Sequence, residues 1–187
     1  MLCELLFVAV TQGKAQWSPA HGGLTARIEV ERRGEKAGTP KLVPYLLLRN
    51  ATDSIGTVDI FLSRDNLKLW LEDETGKDLK DGGAGINGRN GFVPGPFWLQ
   101  LPYDSVIRMN AGLEGYFPPP PGRLILETDS ALLYLPKDFK GKAFLAGAFT
   151  VKDPPTEARS MRWEGTLKLP PVMIFDGEGI VANTAGQ

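Results

Sequence analysis

The sequence predicts an all-β protein built as a two-sheet antiparallel β-sandwich of eight to ten short strands. Three observations predict it. The stretch 41–79 reads as three strands in a row, each bounded by turn residues. The 22 glycines and 15 prolines are spread along all 187 residues, as the many turns of an all-β domain require. No run of helical period interrupts the short apolar and alternating segments. A single closed barrel is the architectural alternative.

The elements follow in chain order. Residues 5–10, LLFVAV, are too few to span a bilayer. Gly13 and Ala15 place small residues where an export peptidase reads, so 1–15 is expected to be a signal peptide cut after Ala15. Glu4 stands where a positive region belongs, which makes the signal a truncated one; the competing reading is a first strand. The domain is expected over 16–175. In 24–32, Leu24, Ala26, Ile28 and Val30 alternate with Thr25, Arg27, Glu29 and Glu31, the pattern of an edge strand with one wet face. Residues 33–40 read as a polar loop. Residues 42–49 are mostly apolar, and 57–62 follow a Ser-Ile-Gly turn. In 67–72, Leu67, Leu69 and Leu71 face one way, and Lys68, Trp70 and Glu72 the other. Residues 73–77 form a tight turn in which Gly76 supplies a positive φ.

Residues 80–96 hold six glycines and two prolines, with only Ile86, Phe92 and Val93 as large apolar side chains. A connection this long is mobile or functional. The expectation is mobility in isolation and ordering on a partner. Strands are expected at 97–101 and 105–110, flanking a Pro102-Tyr103-Asp104 turn. A Gly/Pro-rich crossover spans 111–122. Residues 123–127 read as a strand, and 131–135 as a strand or a turn of helix. Residues 142–152 and 161–174 are the closing pair, joined by a Pro-rich loop, and 176–187 should be a flexible tail. The expected core is Leu46, Leu48, Leu69, Leu71, Leu145, Phe149 and Leu167.

Composition narrows the function. A net charge of -1 and a pI near 5.9 argue against nucleic acid. Arg32, Arg33 and Lys36 are interrupted by Glu29, Glu31 and Glu35. One cysteine, Cys3, and one histidine, His21, allow neither a disulfide within the chain nor a Cys/His zinc cluster. Any Ser-His-Asp or Cys-His mechanism would have to use His21, which precedes the first strand. Gly83 to Gly88 matches GxGxxG, but no buried strand precedes it and no helix can follow, so no dinucleotide site is assigned. Glu72, Asp73 and Glu74, with Asp78 and Asp81, lack EF-hand spacing and read as solvated turn carboxylates. Pro118 to Pro121 before Arg123 reads as a polyproline strap between sheets. Asn50-Ala51-Thr52 matches a glycosylation sequon but reads as a turn closing a strand. Trp17, Trp70, Trp98 and Trp163, with Phe97, Tyr103, Tyr116 and Phe117, are core plugs or a stacking platform for sugars. Trp70 and Trp98 fall on outer faces if Leu67/Leu69/Leu71 and Phe97/Leu99/Leu101 face in. No catalytic, cofactor or metal residue is assigned, and no cofactor is expected.

The chain resembles a group of uncharacterised exported bacterial proteins with immunoglobulin-like or fibronectin-like sandwiches. The resemblance rests on Trp17 to Leu24 (WSPAHGGL), Leu48-Arg49-Asn50, Gly115-Tyr116-Phe117 before the four prolines, and Phe149-Thr150-Val151. It continues in Trp163 to Leu167 (WEGTL) and Lys168 to Val172 (KLPPV). It covers most of 17–175 and implies fold and export, with no activity attached. The expected function is a non-enzymatic extracytoplasmic module for protein binding or scaffolding of an envelope or surface assembly. The partner is expected to be a protein, with no nucleic acid and no transmembrane segment. The alternative is a carbohydrate-binding module using exposed aromatics, and the third reading a hydrolase with a carboxylate pair.

Overall fold

The computed structural model of the protein describes residues 16–36, 39–53, 55–79, 83–85, 96–112, 125–127, 131–135, 138–156 and 161–181. Its strands are β1 (Leu24–Lys36), β2 (Thr39–Asn50), β3 (Thr57–Leu62), β4 (Leu67–Asp73), β5 (Gly83–Gly85) and β6 (Phe97–Pro102). They continue with β7 (Val106–Asn110), β8 (Ile125–Glu127), β9 (Ala131–Tyr134), β10 (Ala143–Val151) and β11 (Gly165–Phe175). The described residues hold one short 3-10 turn, Arg64–Asn66, and no α-helix, so the protein is all-β as predicted. The region 131–135, left open between strand and helix, is strand over Ala131–Tyr134. No helix among the described residues is long and apolar enough to cross a membrane.

Two strands are longer than expected. β1 and β2 pair from Leu24↔Asn50 to Arg33↔Lys41, slip by one residue at Gly34, and continue to Lys36↔Thr39. Most of the expected 33–40 loop is therefore ladder. Backbone pairing needs no apolar side chain, and a bulge absorbs the extra residue.

Pairing places the strands in three groups. β2 lies between β1 and β7, and a single parallel pair, Leu42↔Leu126, joins it to β8, then β9 and β5. β10 lies between β11 and β4, and β3 pairs with β6; these ladders are antiparallel. The three consecutive strands of 41–79 thus each join a different group. β6 and β7, also consecutive, part at a turn where Asp104 takes φ 53° and the Ser105 N–H donates to the Pro102 carbonyl at 3.1 Å.

One large apolar cluster draws on all three groups. It contains Leu24, Ala26, Ile28 and Val30 of β1, Leu42, Leu46 and Leu48 of β2, and Val58, Ile60 and Leu62 of β3. Leu71, Leu145, Phe149, Leu167, Leu169 and Ile174 line it from β4, β10 and β11, and Trp163 stacks on Phe149 at 5.7 Å. Of the seven expected core residues, Leu69 alone is half-buried, packed against the cluster's edge. Phe97, expected to face in beside Leu99 and Leu101, is 45% exposed at the start of its strand. The opposite side of β2 is buried as well: Val43, Tyr45 and Leu47 form a second cluster with Trp17. A strand covered on both faces carries an unbroken apolar run, which is what 42–48 shows. Beyond β11, residues 176–181 fold back: the Val181 N–H donates to the Ile174 carbonyl at 3.0 Å, and Ile180 packs on the core.

Candidate functional site

Buried polar side chains divide this protein into frame and site. Ser18, Thr25, Asn50, Asp59 and Asn66 are all at least nine-tenths buried. Ser18 Oγ accepts the Ala26 N–H at 3.0 Å, and Thr25 Oγ1 donates to the Ser18 carbonyl at 2.7 Å. Asn50 Nδ2 donates to the Gly56 and Leu101 carbonyls at 3.1 and 2.9 Å, while Oδ1 accepts from the Thr52 N–H and hydroxyl. Asn66 Nδ2 donates to the Thr150 carbonyl at 2.8 Å. Both Nδ2 hydrogens of Asn50 are used and the residue is fully buried, so its sequon is a turn lock, as the turn reading expects.

Two motifs far apart in the chain meet at one corner. Trp163 Nε1 donates to the His21 carbonyl at 2.8 Å, and the His21 imidazole stands edge-on to the Trp163 ring at 6.3 Å. A Cβ at Gly165 would lie 2.6 Å from His21 Cδ2, so glycine there makes room for the ring. His21 is a brace between WSPAHGGL and WEGTL.

Asp59 differs from the other four. It is 3% exposed, and its Oδ1 is sealed from solvent with no hydrogen-bond partner among the described residues. Its neighbours Val58 and Ile60 point into the core, so Asp59 points to the other side of β3. Gln100 of β6 is its partner on one flank, and Arg162 on the other through a parallel bridge. The Asp59 N–H donates to the Met161 carbonyl at 2.9 Å and its carbonyl accepts from the Trp163 N–H at 2.8 Å. The Arg162 guanidinium is engaged elsewhere, with the Pro154 carbonyl at 3.4 Å and the Glu164 carboxylate at 3.7 Å. Two pairs along the ladder, on the same face, Phe61 faces Trp98 with ring centroids 5.3 Å apart.

The other outer faces have different chemistry. Over β1, β2 and β7 the Arg108 guanidinium lies 3.3 Å from the Tyr45 ring centroid and bonds Glu29 and Glu31 at 3.3 and 3.2 Å. Burial works to lower the Arg108 pKa; the Glu31 hydrogen bond and attraction to Tyr45, Glu29 and Glu31 outweigh it and leave the pKa raised. Arg27 covers the Trp17 ring at 4.6 Å and pairs with Glu29. Cations already lie over these two rings. Over β4, β10 and β11, Trp70 lies opposite Ala146, and Phe144 opposite Glu72 and Met173. Trp70, Phe144 and Met173 are half-buried and belong to neither apolar cluster. Lys68 and Lys168 flank Ala148.

The remaining sequence candidates separate cleanly. Trp70 and Trp98 are half-buried, their strands' core-facing leucines lying at the alternate positions; Trp163 is core, Trp17 half-buried and Tyr103 47% exposed. Gly83–Gly85 is strand paired with β9, and the rest of that motif, Ile86 to Gly88, lies outside the described residues. Glu74 and Asp78 are exposed, Glu72 and Asp73 half-buried, and no cluster of metal-binding side chains occurs among the described residues. The Asp73 carboxylate is held below its ordinary value by hydrogen bonds from the Thr75 hydroxyl and the Lys77 and Thr75 N–H groups. Residues 1–15, Asp81, Ile86 to Gly95, and the Tyr116 to Arg123 segment lie outside the described residues. Sequence reading missed Asp59, because an aspartate between Val58 and Ile60 occupies a position that reads as wet, and its burial arises only in the folded chain. No family model, curated protein or solved structure matches the chain.

Proposed function

We propose that the chain is a non-enzymatic module that works outside the cytoplasm and binds a protein partner in an envelope or surface assembly. The observation that carries the reading is the outer face of β4, β10 and β11. Ala146 and Ala148 make its floor, Trp70, Phe144 and Met173 stand on it, and Lys68 and Lys168 border it. Trp70 Nε1 bonds Glu72 at 3.3 Å, which holds the indole on the sheet. Aromatic residues and methionine over a smooth apolar floor, with charge confined to the rim, match the composition of protein interfaces.

A two-sheet sandwich of the immunoglobulin or fibronectin kind is the architecture that fits. The inner faces of β1–β2 and of β4–β10–β11 contribute to one core, as two packed sheets do. Export rests on the LLFVAV segment and the small residues before Gln16. N-terminal sequencing of the protein from its source should begin at Gln16; a mature chain beginning at Met1 overturns export by cleavage.

The binding reading is tested with the double variant Trp70→Ala/Phe144→Ala. Both side chains lie outside the core, so the variant should fold with a modestly lowered thermal midpoint. In pull-downs from the native envelope it should lose a protein that the wild-type chain retains. A variant that keeps every wild-type partner removes this face from the function.

A further inference from the structure

We propose that the occupant of the β4–β10–β11 outer face is a second copy of this chain; the proposal rests on the protein-binding reading of that face and names its partner. The strand register sets three rows of side chains across the face. Glu72, Phe144 and Met173 form the first, Trp70 and Ala146 the second, and Lys68, Ala148 and Lys168 the third. The first row is bulky and has a carboxylate at one end. The third is low at its centre and has a cation at each end. Trp70 leans toward the first row, because its Nε1 bonds Glu72 at 3.3 Å. The bulk of the face therefore lies at one end and its positive charge at the other.

A half-turn about an axis lying across the strands at the second row makes this face its own complement. It lays the first row of each copy over the third row of the other. Glu72 meets the other copy's Lys68, Phe144 enters the space above Ala148, and Met173 covers the aliphatic stem of Lys168. The two indoles lean in opposite directions, so they pass each other, and each reaches toward the other copy's Lys68. Lys68 and Lys168 are exposed and form no ion pair among the described residues, whereas Arg27, Arg49, Arg108 and Arg162 each pair with a carboxylate. Lys68 and Glu72 stand about 13 Å apart along β4, too far to pair within one copy. A half-turn about an axis along the strands would set Lys68 against Lys168, and like charges disfavour it.

Sedimentation equilibrium of the full chain tests the pairing. Its mass should rise from 20.4 kDa toward twice that value between micromolar and millimolar protein, as a weak dimer through a three-stranded face would. A chain that stays monomeric throughout overturns the proposal. Lys68→Glu should weaken the dimer about tenfold or more, because it sets two carboxylates together. Glu72→Lys should do the same with two cations. Mixed in equal amounts, the two variants should dimerise again, since each supplies the charge the other lacks at both contacts. A dimer unchanged by Lys68→Glu lies on another surface and overturns the proposal, as does a mixture that does not recover. The protein-binding reading fails separately. If the chain is monomeric while Trp70→Ala/Phe144→Ala loses an envelope protein that wild type retains, the face serves a different protein and only the second copy is overturned.

Discussion

Asn50 shows how much one side chain can hold in this protein. Its amide bridges the end of β2 to Gly56 before β3 and to Leu101 of β6. It therefore ties together two strand groups that share no ladder. Asn50→Ala leaves the buried Leu101 carbonyl without that donor and should cost about 3 kcal/mol, read by urea unfolding. A cost under about 1 kcal/mol would mean that the core, and not this amide, sets the junction. Asp73 acts at the same scale in a solvated setting. Its carboxylate accepts from the Thr75 hydroxyl at 2.6 Å and from the Thr75 and Lys77 N–H groups at 2.8 and 3.1 Å. Its pKa is lowered from 3.8, so the ionised form is favoured in the folded chain. Its contribution to stability is present above that value and is lost as pH falls through the folded pKa. Asp73→Asn should lower the thermal midpoint at neutral pH, with the gap to wild type closing below about pH 4. A gap independent of pH would mean the amide's shape matters and the charge does not.

Among the elements, β10 is the strand on which one sheet depends. It sits between β4 and β11, and Gly147 lies opposite both Leu69 and Leu169. A Cβ there would meet Leu69 Cδ2 at 2.7 Å, the Lys68 carbonyl at 2.9 Å and Leu169 Cδ1 at 3.2 Å. The carbonyl belongs to the neighbouring backbone and cannot turn aside as a side chain can. Gly147→Ala should destabilise by about 1–3 kcal/mol through overpacking, although alanine is ordinarily the easier residue to order. A stabilised Gly147→Ala protein would contradict the described register. β11 shows the complementary device. Leu145 pairs Val172 and Gly147 pairs Leu169, so the extra residue falls at Pro170-Pro171. Prolines, which cannot donate to a ladder, are tolerated at a bulge on an edge strand.

Across the whole molecule, the strand groups share one apolar cluster, and that sharing sets how the chain unfolds. No group keeps its inner face buried once the others leave, because Leu24 to Val30, Val58 to Leu62 and Leu145 to Val151 contribute to the same core. Unfolding should be a single transition, with tryptophan fluorescence and far-ultraviolet dichroism coinciding along a urea gradient. Trp163 in the core reports the tertiary packing and the β signal reports the ladders. Two separated transitions would show that β3–β6 or the β8–β9–β5 extension opens on its own.

Local chemistry alone determined much of this protein. Alternation in Leu24 to Glu31 and Leu67 to Glu72 placed the inward residues of β1 and β4, because a strand has only two faces. The mostly apolar run 42–49 marked a strand, though not its burial on both sides, and Gly76, at φ 80°, marked the turn after β4. Which strand pairs with which was decided by the tertiary structure. β2, β3 and β4 follow one another in sequence and join three different groups, since hydrogen-bonding backbone carries no label of its partner. The same holds for the candidate site. Asp59, Gln100 and Arg162 are distant in sequence, and each reads as an ordinary wet-face residue. Burial of a carboxylate is a property of the folded chain, so no local pattern announces it.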